Sequence, residues 1–394
     1  MAANEGASAV GQSSLRETNL ATVLAAVCRA GEPPSRADLA VQLAMTRATA
    51  ARLVDELVEG GLLDEIDPVV SRRGRPARLL LPGRNVAALG LVADTDRVAA
   101  RVVSLRGTVL SGADHSVDLV GLGVDAGLDL VRVAAAEAFE GAGDARVVGA
   151  ALAVPGVVAD GRTLVRAPNL SWSDLDLVKA VGSLGTVGQL LEVGNEADLA
   201  AMTVVEEAPG RLGAWPDFLF VSGTRGVGGA IVSRGRVVLG EHGGAGEIGH
   251  VCVDPDGPEC PCGSRGCLEQ YAGRDVLARN AGVRAEDVAS IGERAAGGDQ
   301  RCTDALADLV RALSVALASV VNIVGISSVV LGGHLGRLEP ALREELHARL
   351  DARVLGARWA PVRVRAADDS PASPAVGAAH RVLGRVLERP AAWL

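Results

Sequence analysis

Between residues 246 and 269 the chain concentrates side chains that can do chemistry. It reads Gly246-Glu-Ile-Gly-His250, then Cys260-Pro-Cys262-Gly-Ser-Arg-Gly-Cys267-Leu-Glu269. One histidine and three cysteines, spaced Cys-x-Cys with the third cysteine five residues on, can close a tetrahedral Zn²⁺ site of the His-Cys₃ type. The predicted ligands are His250, Cys260, Cys262 and Cys267. Four protein ligands leave no open coordination position, so the expected ion is structural rather than a Lewis acid. Gly263 and Gly266 let the chain fold tightly around it. Without an export signal, cysteines clustered in this way point to metal and not to disulfides. Cys28, Cys252 and Cys302 fall outside the pattern and are expected in the core.

A second set of residues suits nucleic acid. Residues 68–84 contain five arginines and no acid. The chain as a whole has net charge −9, which excludes a protein that coats nucleic acid along its length. Residues 1–85 balance ten Arg against ten Asp and Glu, so a small segment can meet phosphate while the bulk repels it.

The elements that must position these arginines are legible nearby. Leu20, Val23, Leu24 and Val27 follow helical spacing, ending near Gly31. Ser35-Arg-Ala-Asp38 is a capping-box variant that opens a short helix through Leu43. Thr46 caps a third helix whose core face is Ala50, Leu53, Val54, Leu57 and Val58, and Gly60-Gly61 stops it. This is helix-turn-helix spacing. Ala48, Thr49 and Arg52 lie opposite the core face and Arg47 sits at the exposed N-terminal tip, where Arg can fork onto guanine and a Thr methyl can touch thymine. Asp55, Glu56 and Glu59 are expected away from phosphate. Residues 61–66 and 77–81 predict two strands of a β wing, whose tip carries Arg72, Arg73 and Arg75 toward phosphate and the minor groove. The predicted DNA contacts are therefore Thr46, Arg47, Thr49, Arg52, Arg72, Arg73 and Arg75, in a winged helix-turn-helix over residues 15–84.

At 394 residues, 48% hydrophobic and 22% charged, the chain should form two or three globular domains. Residues 1–14 predict a disordered leader and no targeting segment. The apolar stretch 312–331 contains Asn322 and Gly325 and divides into a helical and a β-branched half. It predicts a buried helix leading into a buried strand rather than a membrane span. The expected location is cytoplasmic, with no membrane partner. From residue 86 onward, strands (88–93, 98–104, 147–153, 217–221, 228–233, 327–331) alternate with helices (125–140, 195–207, 303–320), an α/β pattern.

Head, wing and cysteine cluster together resemble the ROK family, which groups sugar-responsive transcriptional repressors with sugar kinases. The stretch GEHGGAGEIGHVCVDPDGPECPCGSRGCLE matches that family's signature, and the resemblance runs from about residue 15 to the C-terminus. Ala153-Val-Pro-Gly156, Ala167-Pro-Asn-Leu-Ser-Trp172, Gly194-Asn-Glu-Ala197 and Val330-Leu-Gly-Gly333 match as well. The resemblance implies an actin-like ATPase fold of sugar-kinase type over 86–394, two lobes dividing near 205–215, and a homodimer or homotetramer. It implies that Asn169, Asn195, Glu196, Glu247, His250 and Glu269 hold sugar hydroxyls.

Departures from the family pattern argue against catalysis. Family kinases open the body with Asp-x-Gly-Gly-Thr, whose N–H groups cradle phosphate. Here Val92 replaces the aspartate, and Asp94 and Thr95 replace the glycines, so Asp94 and Asp96 are expected to set negative charge against a polyphosphate. Arg225 stands where the second phosphate loop usually has Thr. Glu196 occupies the position of the kinase base, an Asp, and its extra methylene displaces that base by about 1 Å. The expected function is a sugar-responsive repressor binding a palindromic DNA operator as a dimer, with a sugar or sugar phosphate as ligand, Zn²⁺ as cofactor and no catalytic residue. The alternatives are an active ATP-dependent sugar kinase and a sensor of a protein partner.

Overall fold

The computed structural model describes residues 5–67, 78–185, 190–367 and 373–394. Helix α1 (Glu5–Arg29) buries Leu20, Val23, Leu24 and Val27 along one side. The helix already runs at Glu5, so residues 5–14 extend it instead of forming the expected disordered leader. Ser35 caps α2 (Arg36–Gln42): its Oγ accepts from the Asp38 N–H, and Asp38 accepts from the Ser35 N–H at 2.9 Å. Ala44 turns the chain at φ 51°. Thr46 then caps α3 (Arg47–Glu59), accepting from the Thr49 N–H at 3.1 Å. Strands β1 (Leu63–Ile66) and β2 (Leu79–Pro82) pair antiparallel and complete a winged helix. The predicted tip contacts Arg72, Arg73 and Arg75 lie outside the described residues.

The body follows at once, with Val86 only four residues beyond the end of β2. Its first lobe is built from β3 (Val86–Asp94), β4 (Arg97–Ser104), β5 (Val109–Ser116), α4 (Leu119–Glu140) and β6 (Arg146–Val154). A small meander of β7 (Val157–Ala159), β8 (Thr163–Ala167) and β9 (Trp172–Asp176), helix α5 (Leu177–Val181) and β10 (Leu190–Asn195) complete it. The five-stranded sheet has the order β10-β6-β3-β4-β5. Every residue of β3 is buried, as expected of a strand covered on both faces. Helix α6 (Glu196–Val205) and a hairpin of β11 (Glu206–Ala208) and β12 (Arg211–Leu212) lead to the second lobe.

That lobe contains β13 (Phe218–Gly223), β14 (Val227–Ser233), β15 (Arg236–Val237), α7 (Glu269–Ala272), α8 (Arg274–Ala281) and α9 (Ile291–Ala296). It continues through α10 (Gln300–Val324), β16 (Ser328–Gly332), α11 (Gly333–Arg353) and β17 (Arg363–Ala366). Its sheet order is β15-β14-β13-β16-β17. Among the described helices, α10 alone is long and apolar enough to cross a membrane. Its Leu309, Leu313, Leu317 and Val321 form the core of this lobe, and Gly325, at φ 71°, ends it before the buried strand β16.

One division near 205–215 does not separate the lobes. Helix α12 (Ser373–Glu388) leaves the second lobe and packs between the first sheet and α6. Two glycines make the approach close enough. A Cβ on Gly90 of β3 would fall 1.7 Å from the Ala375 carbonyl oxygen, and one on Gly377 would fall 1.6 Å from that of Leu199. The far side of α12 meets the head: Val386 and Leu387 share one apolar cluster with Leu24 and Leu57. Arg146 donates to the carbonyls of Gly60 and Trp393, and Arg106 reaches Asp64 of β1 and the Pro82 carbonyl. Head and first lobe therefore share a continuous core.

Because backbone carbonyl, not a movable side chain, fills the space at Gly90, Gly90→Ala should destabilise the chain by about 1–3 kcal/mol or more. Urea unfolding measures this, and an unchanged midpoint would contradict the packing described.

Candidate functional site

The cysteine cluster forms a compact knuckle. Cys260 N–H donates to the Ser264 carbonyl and Val253 N–H to that of Gly266, while Gly263 and Gly266 take φ 99° and 62°. Gly266 has no alternative, since a Cβ there would sit 1.6 Å from the Asp254 oxygen. The knuckle gathers one ligand atom each from His250, Cys260, Cys262 and Cys267 within 4.8 Å of one another. The sulfurs of Cys262 and Cys267 are 3.8 Å apart, and Cys260 Sγ lies 3.9 Å from His250 Nδ1. Zn–S bonds of about 2.3 Å give a tetrahedral edge of about 3.8 Å, so the donor set fits a zinc-sized ion. Cys28 and Cys302 are buried, but Cys252 is exposed. It faces outward because its neighbour Val253 turns into the core of the second lobe.

All six residues expected to hold sugar hydroxyls line one cavity between the lobes. Asn169 Nδ2 donates to Glu269 Oε2 at 3.3 Å, and that oxygen also accepts from the Val227 N–H at 3.1 Å. His250 turns Nδ1 toward the sulfurs, which leaves Nε2 on the cavity side. Asn195 also does structural work, capping α6 through its Oδ1 and donating from Nδ2 to the Gly156 carbonyl. The cavity is small in this arrangement, about 40 Å³. Sequence reasoning missed Gly226: a Cβ there would sit 2.1 Å from Glu269 Oε2, so a bare backbone is needed beside that carboxylate.

The first phosphate loop is closed upon itself. Asp94 is buried, and its Oδ1 accepts from the Thr95 N–H at 2.6 Å. It does not project charge outward as expected; burial raises its pKa, and the carboxyl turns back to cap its own loop. Asp96 is likewise no free charge, since Arg274 neutralises it at 2.8 Å. Arg225 pairs with Asp275 at 3.1 Å. Glu196 is buried, with Oε2 lacking a partner and Thr224 at 3.5 Å from Oε1. Burial, reinforced by the neighbouring Asp94 carboxyl, holds its pKa well above the usual range.

On the head, Thr46 and Arg47 are exposed at the start of α3. The Thr49 hydroxyl is bonded to Thr46 Oγ1 at 2.9 Å. Arg52 is exposed but pairs with Glu56 at 2.7 Å, and Glu56 also binds Arg16 of α1. Glu56 thus ties Arg52 to Arg16 on the outer side of α3.

A winged head fused to a two-lobed, actin-like α/β body, with an inter-lobe cavity beside a His-Cys₃ knuckle, defines the class of protein. Residues 132–384 match the ROK family, and the chain belongs to that family. It is 24% identical over 327 residues to the xylose repressor of Bacillus spizizenii, spanning 82% of this chain and 84% of that protein. The structure of a ROK family transcriptional regulator, a homologue of the E. coli MLC protein, superimposes with a TM-score of 0.75. It covers 95% of this chain and 98% of its own, at 21% identity. A ROK family glucokinase from Streptomyces griseus, solved with glucose and AMPPNP, gives 0.63 at 28% identity, covering 74% of this chain and 98% of its own.

Asp198, on α6 behind the cavity, provides a measurable titration. Burial pushes its pKa up to about 7, with Glu247 adding to the rise and Arg381 opposing it. An aspartate is near 3.9 when unfolded, so the folded state binds the extra proton between about pH 4 and pH 7. Stability is therefore lost as pH rises through that window, and the loss is complete above it. Asp198→Asn removes the loss, so its stability relative to the parent should be higher at pH 8 than at pH 4. Urea unfolding at the two pH values checks this; an equal difference at both would refute the assignment.

Proposed function

We propose that this chain is a sugar-responsive transcriptional repressor in which the kinase-like body senses a ligand and does not phosphorylate it. The observation that carries the reading is the convergence of Asn169, Asn195, Glu196, Glu247, His250 and Glu269 on one inter-lobe cavity, in a body whose core is continuous with a winged head. Convergent carboxylates, amides and an imidazole suit a hydroxyl-rich ligand. The ligand is a sugar or sugar phosphate, and its entry requires lobe movement. That movement reaches the head through α12. The chain acts as a homodimer on a palindromic operator, with Arg47, Thr49 and Arg52 reading bases and Arg72, Arg73 and Arg75 on the backbone and minor groove. The likeness to a xylose repressor over 82% of this chain supports this reading.

In this reading zinc is held by His250, Cys260, Cys262 and Cys267 and fixes the shape of the loop that presents His250 Nε2, Glu247 and Glu269 to the ligand. The ordered cluster and its tetrahedral edge support it. An ATP-dependent sugar kinase is the second reading, favoured by the likeness to a glucokinase and by the glycines retained in 222–229. The self-capped Asp94 loop weighs against it. Steady ATP turnover with D-glucose or D-xylose, abolished by Glu196→Gln, would decide for the kinase.

Two outcomes test the repressor. In fluorescence anisotropy with a duplex selected from a random library, Arg52→Ala should weaken binding by roughly 1–3 kcal/mol and relax specificity at one base pair per half-site. Full affinity after deletion of residues 1–84 would remove the head from the function. Cys260→Ser and Cys262→Ser should lose zinc and the sugar response together while operator binding persists. Metal content, sugar affinity and operator affinity are to be measured on the same preparation. A zinc-free variant with unchanged sugar affinity would leave the metal a purely local support.

A further inference from the structure

A second cavity lies behind the first. It holds about 410 Å³, within the roughly 300–1,000 Å³ typical of small-molecule sites, whereas the hydroxyl cavity holds about 40 Å³. Its walls come from four segments: the meander around Val158–Gly161, β10 with the start of α6, the stretch 237–243, and α12. It therefore touches both lobes. Asn195, capping α6, belongs to the walls of both cavities and separates them.

The chemistry of the lining selects its ligand. Glu192 is buried in the wall and held by two arginines of α12, Arg381 at 2.9 Å and Arg385 on the other oxygen. Asp198 is 6% exposed, and its Oδ1 makes no hydrogen bond in the described structure. A buried carboxyl with an unmet acceptor is costly unless a partner arrives. An anion entering here would face Asp160, Glu192, Asp198 and Glu241, and a cation would face Arg381 and Arg385, with His242 at the same wall. A neutral ligand carrying many hydroxyls can donate to the carboxylates and accept from the guanidiniums without meeting either repulsion. Met202, Val237 and Leu239 supply apolar wall for the C–H face of such a molecule.

We propose that this groove between α6, α12 and residues 237–243 is a second carbohydrate site, distinct from the hydroxyl cavity, with Asp198 and the Glu192–Arg381–Arg385 cluster as its polar contacts. Its occupant reaches the head by a short route. Arg381 and Arg385 project from the helix that packs against α1, so a ligand that rearranges their contacts with Glu192 acts on the same helix that supports the DNA-reading unit.

The test uses full-length protein in which the hydroxyl cavity has been disabled by Asn169→Ala with Glu269→Gln. Isothermal titration with D-xylose, D-glucose and sucrose should still show one equivalent of sugar bound by this variant for at least one of the three. Adding Met202→Trp, which fills the groove from α6 without touching the hydroxyl cavity, should abolish that binding. Adding Asp198→Asn instead should weaken it at least tenfold, and this substitution changes no volume, so it covers the case in which tryptophan disturbs folding. No binding of any of the three sugars to the cavity-disabled variant, or binding indifferent to both added substitutions, would overturn the second site. Failure of the repressor reading is seen separately, as parent protein whose operator affinity ignores sugar, and that result leaves these isotherms unaffected.

Discussion

The contact on which the architecture rests is the burial of α12 against β3 and α6, where glycine stands in place of any side chain at two points. With backbone carbonyls occupying the positions of the missing Cβ atoms of Gly90 and Gly377, the helix sits deeper than ordinary ridge-in-groove packing allows. Three things follow from that depth. The end of the chain is returned to the first lobe and ties the lobes together. The far face of the helix becomes a platform for α1 and the wing. Its Arg381 and Arg385 are carried to the buried Glu192, which fixes one wall of the larger cavity.

The loop at residues 92–96, on the inter-lobe cleft, is satisfied from within. The backbone donor of Thr95 is satisfied by the preceding side chain, so an incoming anion would have to displace a short hydrogen bond in a buried setting. Arg274 and Arg225, cations that could have met phosphate, are taken by Asp96 and Asp275. Further along the same cleft, carboxylates, two amides and an imidazole line one cavity.

Much of this was legible because the signals are local. Ser35 with Asp38, Thr46 with Thr49, and the Cys-x-Cys spacing each specify a structure within a few residues, and each is found where spacing places it. What escaped was set by distant partners. Nothing in Ser373–Glu388 announces which sheet it will cover. Asp94 read as an exposed charge because its burial depends on strands far along the chain. Asn195 lines the cavity as expected, but its second task, capping α6 and holding the Gly156 carbonyl, depends on partners the motif does not name. The larger cavity draws on residues from 158 to 385, so no spacing pattern could reveal it. Cys252 failed for a plainer reason: alternation along an extended segment sends neighbouring side chains to opposite sides.

The small volume of the inter-lobe cavity carries a thermodynamic consequence. If the closed arrangement has no room for a sugar, ligand captures only the open fraction, and the apparent affinity is the intrinsic one diluted by that fraction. Operator DNA that favours one lobe arrangement shifts the same fraction. Linkage then makes the effect mutual: whatever factor the sugar imposes on DNA affinity, DNA imposes on sugar affinity. A molecule resting on its operator would sense a different sugar threshold from one free in solution.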